Sequence, residues 1–534
     1  MSDFDLPNKW VETTLSDVVE WTSGGTPKSG VGEYYNGGTI DWLNISDLKD
    51  TYIHKAEKKI TELGLKNSSA KIVNSNSVLI AIYGSIGKLG INTVPVATNQ
   101  AICFTKSIPN QLNIKFLFYY LMSIRAFLTS LGKGGTQQNI SQTVLNSVRL
   151  PLAPLNEQNR IVAKIEALFS EIDNGIDSLS KAKFQLEQYR QSLLKSAFEG
   201  KLTEQWRADY EKNTGKPLPT ADELLKQIQD ARQAHYDQQL AEWELAVKAW
   251  EENGKEGRKP TKPSLLKLGE ISPNEKDFGI AGWINVKINQ IADMYTGSTP
   301  LKSNADYYKN GSIPWVTSGS LNQNYVTEPN GYITDLALSE TNLNLLPQHT
   351  LLVAMYGEGK TRGKCSELLI EATTNQAIAG IVIDNKFSTT KNYLKLFLQK
   401  NYIDLRRQSS GGVQPNLNLG LVSNIVFPMP SEEEQKRIID ILEHNLSEAD
   451  KNMSDINDQI KKAEILKSAI LQKAFQGKLV PQDDNDPPAS NLLEQIKQER
   501  EQALALIQEA KQAKKADKPK TPKRTKKAKT TENQ

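Results

Sequence analysis

The chain has 534 residues, 65 Lys/Arg against 62 Asp/Glu and a formal charge of +3, which is too long for one core and predicts three or four units. No apolar run reaches the eighteen or so residues of a membrane helix, the longest being Phe116 to Met122, and the acidic, polar start Met-Ser-Asp-Phe-Asp is unlike a signal peptide. Two isolated cysteines, Cys103 and Cys365, exclude a disulfide framework and read as small core residues, so the expectation is a soluble cytoplasmic protein with no membrane partner. Residues 511–529 hold ten Lys/Arg and one Asp, leaving 55 basic and 61 acidic residues, a formal −6, in the remainder. The body is therefore not a basic nucleic-acid sponge.

In chain order the sequence reads as a repeat. Trp10, Gly25-Thr26-Pro27, Tyr34-Tyr35, Gly38 and Trp42 return 273 residues later as Trp283, Ser298-Thr299-Pro300, Tyr307-Tyr308, Gly311 and Trp315. Asn99-Gln100-Ala101-Ile102 returns as Asn375-Gln376-Ala377-Ile378 at an offset of 276, and from Phe116 onward the offset is 277. Each copy opens with a globular part, 1–155 and 283–430. Runs such as Ser77 to Tyr83 and Thr350 to Tyr356 predict buried strands between Gly-rich turns, and an apolar helix is expected near Phe116 and Tyr393, which makes the fold class α+β.

A helical spacer follows each globular part, at 156–240 and 431–510. In the first, Ile161, Ile165, Leu168, Ile172, Leu179, Leu186 and Leu193 fall at heptad spacing with a break at Gly175. The second seam is Ile438, Leu442, Ile456, Leu466 and Ile470. Such a helix is too long to be covered by its own domain, so the two seams are expected to satisfy each other as an antiparallel coiled coil. Ser431 with Glu434 predicts a capping box, and Gly200 and Gly477 are placed to end the helices. A further helix after each spacer carries Leu224-Leu225 with Arg232 and Leu492-Leu493 with Arg500. Residues 241–282, Gly-, Lys- and Pro-rich from Glu251 to Ser264, read as a solvated linker, and 511–534 as a basic disordered tail.

Catalytic constellations are not visible. His54, His235, His349 and His444 are scattered and none recurs in the other copy, which argues against a metal site or a histidine base. Gly357-Glu-Gly-Lys360-Thr361 falls short of a phosphate-binding loop, because Ala354 stands at the first glycine and the matching stretch Gly84 to Lys88 continues with Leu89. Asp486-Pro487-Pro488 lacks the aromatic that would stack on a flipped base and reads as a turn before a helix. The turn at Gly24 to Pro27 reads as a tight turn in preference to an anion site. The predicted loops, by contrast, gather groups suited to guanine edges, adenine edges and phosphates. They are Lys28, Lys88, Lys133, Gln137, Gln138 and Asn139 in the first copy, and Lys302, Lys360, Arg362, Lys364, Gln414 and Asn416 in the second.

Three duplicated stretches carry a resemblance. They are the Gly-Gly-Thr-Pro turn leading through Tyr-Tyr to Trp42, the run Leu150 to Ile161, and Ala197-Phe198-Glu199-Gly200-Lys201-Leu202. Over residues 10–510 the chain resembles the specificity subunit of type I restriction-modification systems. That resemblance implies two target-recognition domains, each reading one half of a bipartite double-stranded DNA target, and helices that set the gap and dock two methyltransferase subunits. It further implies restriction-translocase subunits, with S-adenosylmethionine, ATP and magnesium on the partners, and a chain that binds no cofactor and catalyses nothing by itself. The rivals are a self-sufficient two-domain DNA methyltransferase or restriction enzyme, which needs a motif not seen here, and a coiled-coil scaffold that ignores DNA.

Overall fold

A computed structural model describes residues 6–132, 138–257, 259–263, 270–356, 361–402 and 417–516. The chain divides into two compact units, Met1–Ser180 with Asn457–Gln534, and Lys181–Ile456. Each unit holds one globular copy, half of each long helix, and a trailing helix. Among the described residues no helix is long and apolar enough to cross a membrane.

In the first unit, Val11–Thr14 pairs antiparallel with Arg149–Leu152 and draws the two ends of the globular part together. Between them lies a five-stranded sheet in the order Trp21–Ser23, Ile102–Thr105, Val78–Ala81, Leu89–Asn92, Thr51–Ile53. A four-stranded sheet of Lys58–Ile60, Ile40–Leu43, Val96–Thr98 and Ile72–Val73 accompanies it. The second unit repeats this plan. Ile284–Lys287 pairs with Val426–Met429, the five-stranded sheet runs Asp293–Thr296, Ile378–Val382, Leu351–Ala354, Cys365–Leu368, Tyr325–Val326, and the smaller sheet keeps three strands. All four residues of Val78–Ala81 and of Leu351–Ala354 are buried, as expected of continuous apolar runs. Burial pushes both thiols, Cys103 and Cys365, up to about 12 and leaves them inert core groups.

The long helices are Leu155–Phe198 and Glu432–Phe475, 44 residues each or about 66 Å at 1.5 Å per residue. Both are unbroken. Gly175 sits on an open face of the first, where an added β-carbon would meet nothing within 4 Å, so the predicted break is only a gap in the apolar pattern. The helices run antiparallel within each unit. In the first, Ile161 and Ile165 share a core with Ile470 and Ala474, and Lys467 bridges to Asp173. In the second, Leu193 and Ala197 share a core with Ile438 and Leu442, Arg190 bridges to Asp450, and the Tyr189 hydroxyl meets Asn445 Oδ1 at 3.1 Å. Asp173–Lys467 and Arg190–Asp450 are one bridge written twice, since 277 residues separate Asp173 from Asp450 and Arg190 from Lys467.

Seam residues Ile161, Ile165, Leu193, Ile438, Leu442, Ile456 and Ile470 are buried, and Leu168, Ile172, Leu179 and Leu186 half-buried. Leu466 is not in the seam: it is 52% exposed. The alternating steps of four and three lead from Ile456 through Ile460 and Ala463 to Lys467, whose stem lies along the seam with its ammonium 5.1 Å from the centre of the Phe169 ring. A long aliphatic stem with a charged head fills a seam position as an apolar residue would. The helices end as predicted. Gly200 and Gly477 take φ of +69° and +68°, and the next amide closes on the carbonyl five residues back, Lys201 on Ser196 and Lys478 on Lys473, both at 2.9 Å.

Phe198 and Phe475, in the last turns, enter the globular copies. Phe475 lies 5.1 Å from Phe116 and 5.2 Å from Tyr120, centroid to centroid, and Phe198 stands 5.1 Å from Tyr393 and 5.2 Å from Phe397. The other end of each long helix buries a carboxylate. Ser431 caps weakly, accepting from the Glu434 amide at 3.4 Å, but Glu434 does not complete a capping box. Its side chain instead accepts from the Trp283 indole at 2.8 Å, from Thr203 at 2.6 Å and from Arg207. Glu157 occupies the matching place, where burial raises its pKa. Gln482 donates to it at 2.6 Å, while the Trp10 indole lies beside it without closing a bond of good geometry.

The trailing helices are Ala221–Glu252 and Ala489–Ala516, latched by the arginines that recur in sequence. Arg232 donates to the Asn289 carbonyl at 2.9 Å and to Asp293 at 2.6 Å; Arg500 donates to the carbonyls of Ser16 and Asp17 at 2.5 and 2.9 Å. Both helices run past the predicted boundaries at 241 and 511. The linker is not simply solvated either. Half-buried Tyr236, Leu240, Trp243, Val247 and Trp250 continue a four-three stripe, and the carbonyls of Gly257 and Pro260 return to it. The indoles of Trp243 and Trp250 donate to the carbonyls of Pro260 and Gly257 at 3.1 and 3.2 Å, and Lys262 and Lys259 stack on the same rings. The helix Glu204–Thr214 was not anticipated.

Two outcomes follow from this packing. Phe198→Ala should destabilise the second unit by about 3–5 kcal/mol and leave the first unchanged; hydrogen exchange at Leu351–Ala354 and at Val78–Ala81 reports the two separately, and equal losses would refute the assignment. In the second unit, burial raises the carboxyl of Glu367, but bonds from Lys391 at 2.6 Å, Lys395 at 3.0 Å and His349 at 3.0 Å outweigh it and hold the group at about 2. A depressed carboxylate stabilises above its unfolded value and loses that contribution as pH falls through the folded one. Acid unfolding between about pH 4.5 and pH 2 should therefore be steeper for the native chain than for Glu367→Gln; equal slopes would count against it.

Candidate nucleic-acid interface

The duplicated motifs converge in each copy. In the first, the Gly25 amide donates to the Thr98 carbonyl at 2.9 Å, the Trp42 indole to Gly25 O at 3.1 Å, the Tyr35 hydroxyl to Pro27 O at 2.5 Å, and the Thr26 hydroxyl to Gln100 Oε1. The second copy makes the same set, with Ser298 N to Thr374 O at 3.0 Å, Trp315 to Ser298 O at 3.2 Å, Tyr308 to Pro300 O at 2.5 Å and Thr299 to Gln376. The first glycine is compulsory, because a β-carbon on Gly24 or Gly297 would stand 2.1 or 1.7 Å from a threonine carbonyl oxygen. The second is not. Ser69 and Ala70 crowd Gly25, whereas serine is accommodated at 298. Since the amides of Gly24 and Gly25 both bind strand carbonyls, they are not free to cradle an anion, in keeping with the tight-turn reading.

Beside this turn lies a hairpin connection, residues 82–88 in the first copy and 355–364 in the second. Ile82 N bonds Ala101 O at 2.9 Å and Met355 N bonds Ala377 O at 2.7 Å, which sets the connection next to the Gln100 or Gln376 turn. Gly87 and Gly363, with φ of +83° and +84°, send their amides back to Ala81 and Ala354 at 2.9 and 2.8 Å. The carbonyls of Lys88 and Lys364 accept from the same two alanines at 2.9 and 3.0 Å. The counterpart of Gly87-Lys88 is therefore Gly363-Lys364, and the match to Gly357 through Thr361 is corrected. The three extra residues of the second copy lie inside this connection, which is where the offset steps from 273 to 276.

The structure thus sets Gln138 and Asn139 against the connection that carries Lys88, since Gly84 N bonds Gln138 O at 3.1 Å and Tyr83 bridges to Asn139. Lys28 and Lys302 stand just past the two Thr-Pro turns. Lys28, Lys88 and Lys302 are exposed, and none pairs with a carboxylate among the described residues. Arg362 is half-buried, and Lys364 donates to Asn322 Oδ1 at 3.0 Å, an oxygen it shares with Thr361. Lys133, Gln137, Lys360, Gln414 and Asn416, with the rest of the Gly357 stretch, lie outside the described residues. Loop composition passed over Gln100, Gln376, Asn322 and Tyr83, the last 41% exposed. The repeated Asn-Gln-Ala-Ile was the available signal for the two glutamines. Asp486 is the turn before a helix, its buried carboxylate taken by Arg160 at 2.7 Å and Asn156 at 3.1 Å and held below the usual range by them, Arg160 foremost.

Comparison with known proteins agrees with the duplication. The family described as type I restriction modification DNA specificity domain matches residues 7–179 and again 280–462. The type I restriction enzyme MjaIX specificity subunit of Methanocaldococcus jannaschii is 23% identical over 484 residues, covering 89% of this chain and 94% of its own. The EcoDI specificity subunit of Escherichia coli is 23% identical over 401 residues, 73% of this chain and 78% of its own. A solved chain, from work on complex assembly and conformational transition of the type I R-M system, shares the fold with a TM-score of 0.61 at 17% identity, over 89% of this chain and 100% of that one. With both globular copies and the adjoining halves of both long helices matched, the chain belongs to the type I restriction-modification DNA specificity family.

Proposed function

We propose that this chain is the DNA-reading subunit of a type I restriction-modification assembly, each globular copy reading one half of a bipartite duplex sequence. One observation carries the reading: the same turn and hairpin are built twice, while the residues they display differ. The Thr-Pro turn, the Asn-Gln turn and the Gly-Lys corner keep their hydrogen bonds in both copies, yet the connection is three residues longer in the second. A fixed frame with variable tips suits two related sites that recognise different base sequences. The long helices act as the spacer between half-sites and as the seat of two methyltransferase subunits, and restriction-translocase subunits complete the assembly. S-adenosylmethionine, ATP and magnesium belong to those partners. Chemistry is assigned to them also because Asp486-Pro487-Pro488, the stretch without a base-stacking aromatic, has its carboxylate engaged by Arg160.

Replacing residues 10–150 with the equivalent region of a related protein should change one half of the methylated sequence and spare the other. Mapping methylated adenines by single-molecule sequencing reads this directly, and a change in both halves would overturn the modular reading. The spacer role predicts a second outcome. One heptad inserted between Lys183 and Phe184 and one between Ile456 and Asn457, points equally far along the chain from the Asp173–Lys467 bridge, keeps the four-three phase of both helices. It adds about 10 Å of helix, comparable to about three base pairs at roughly 3.4 Å each. The same mapping should show both half-sites retained with a gap widened by up to that amount; an active variant with an unchanged gap would refute it.

A further inference from the structure

The hairpin connection of the first copy is held by a clamp that has no counterpart among the described residues of the second. Arg125, at the start of the helix Arg125–Ser130, donates from Nε to the Gly87 carbonyl at 2.8 Å and from Nη2 to Asp50 Oδ1 at 2.5 Å. Asp50 Oδ1 also accepts the Leu89 amide at 3.0 Å, and Asp50 N donates to Leu89 O at 2.9 Å, with Asp50 in the left-handed region at φ +59°. One guanidinium and one carboxylate therefore grip the chain on both sides of Lys88. The grip is close, because a β-carbon on Gly87 would stand 2.9 Å from Arg125 Cγ.

The fold does not require this clamp. At the corresponding places, 273 and 277 residues on, the second copy has Gln323 and Tyr402. Its Gly363-Lys364 corner still closes the same two bonds to Ala354. What the clamp adds in the first copy is a hold on a seven-residue connection that carries exposed Tyr83, beside Asn139, near one end and exposed Lys88 at the other, with Gly84 bonded to Gln138 between them. A contact to a base edge discriminates only if its donor is held to within a fraction of an ångström, since a loose donor finds an acceptor on the wrong base as well.

We infer that Arg125 and Asp50 are positioning residues that set the strictness with which the first globular domain reads its half of the target. The inference rests on the reading of the chain as a DNA specificity subunit. The full-length chain, expressed with its methyltransferase partner as wild type, Arg125→Ala and Arg125→Lys, should be compared by genome-wide mapping of methylated adenines. Hydrogen exchange of residues 82–88 and thermal unfolding should be measured on the same preparations. Arg125→Ala should raise methylation at sites carrying one mismatch in the first domain's half by roughly tenfold, about the discrimination of one good base contact, and leave the other half as strict as before. Arg125→Lys, which keeps the charge but cannot hold both partners, should fall between. Faster exchange confined to 82–88 should accompany the effect. The inference is overturned if Arg125→Ala keeps the native profile, or relaxes both halves alike in step with lowered thermal stability. Should Arg125→Ala fail to accumulate, the lysine variant decides, an unrelaxed profile refuting the inference. A wild-type chain that yields no bipartite pattern would instead overturn the functional reading itself.

Discussion

A phenylalanine at the end of each long helix organises this chain. Phe198 and Phe475 each sit against two aromatic rings on a helix of a globular copy, and the copy is never the one that precedes the phenylalanine's own helix. Phe198 follows the first globular part and packs on Tyr393 and Phe397 of the second; Phe475 follows the second and packs on Phe116 and Tyr120 of the first. The sequence after each phenylalanine then has little choice. Its Gly-Lys-Leu turn brings Thr203 and Arg207, or Gln482, onto the buried carboxylate that opens the other long helix. Burying such a carboxylate is tolerable only when it is bonded. The antiparallel pairing of the long helices and the docking of the trailing helices follow from where these two rings go.

The copies agree where the frame is made and diverge inside their cores. Ile91, Ile114 and Phe118 line one patch of the first copy, and the equivalent positions of the second are Glu367, Lys391 and Lys395, one carboxylate bonded by two ammonium groups. Strand register is the same around both, Tyr52 opposite Ile91 and Tyr325 opposite Glu367. An apolar patch and a satisfied ionic one are thus interchangeable in this scaffold, as expected when the attraction in a buried pair roughly offsets its desolvation. Removing one member of the second set is another matter, since it strands a buried charge.

Repetition made most of the fold legible from sequence, because two copies of a weak pattern reinforce each other. The strands at Val78 and Leu351, the glycine-ended helices and the antiparallel seam were all readable. What escaped was side-chain destination. Glu434 has the spacing of a capping residue, yet Trp283 and Thr203 outcompete its own helix for the carboxylate. Leu466 is the apolar choice by inspection, but the four-three phase gives the seam to Lys467, whose stem is long enough to serve. Arg232 and Arg500 were visible as an echo without a meaning, because their partners are backbone carbonyls of short helices that no side-chain pattern announces. At the candidate interface, the lysines are legible by composition, but their placement depends on a three-residue insertion before Gly363, and an unbroken offset of 273 carries the match one corner too far.

The first unit contains both ends of the chain, while the second is built from one uninterrupted stretch, Lys181–Ile456. Lys9, near the start, donates to the carbonyls of Asp483, Asp484 and Asp486, near the end, at 2.9, 2.6 and 2.8 Å. A ribosome therefore delivers the parts of the later domain's unit first. The earlier domain leaves the exit tunnel with the faces of Phe116 and Tyr120 uncovered and waits until Phe475 has been translated, on the order of tens of seconds at about 5–20 residues per second. Vectorial synthesis and assembly thus run in opposite orders, and the nascent N-terminal domain is the part of this molecule that keeps an apolar face open longest.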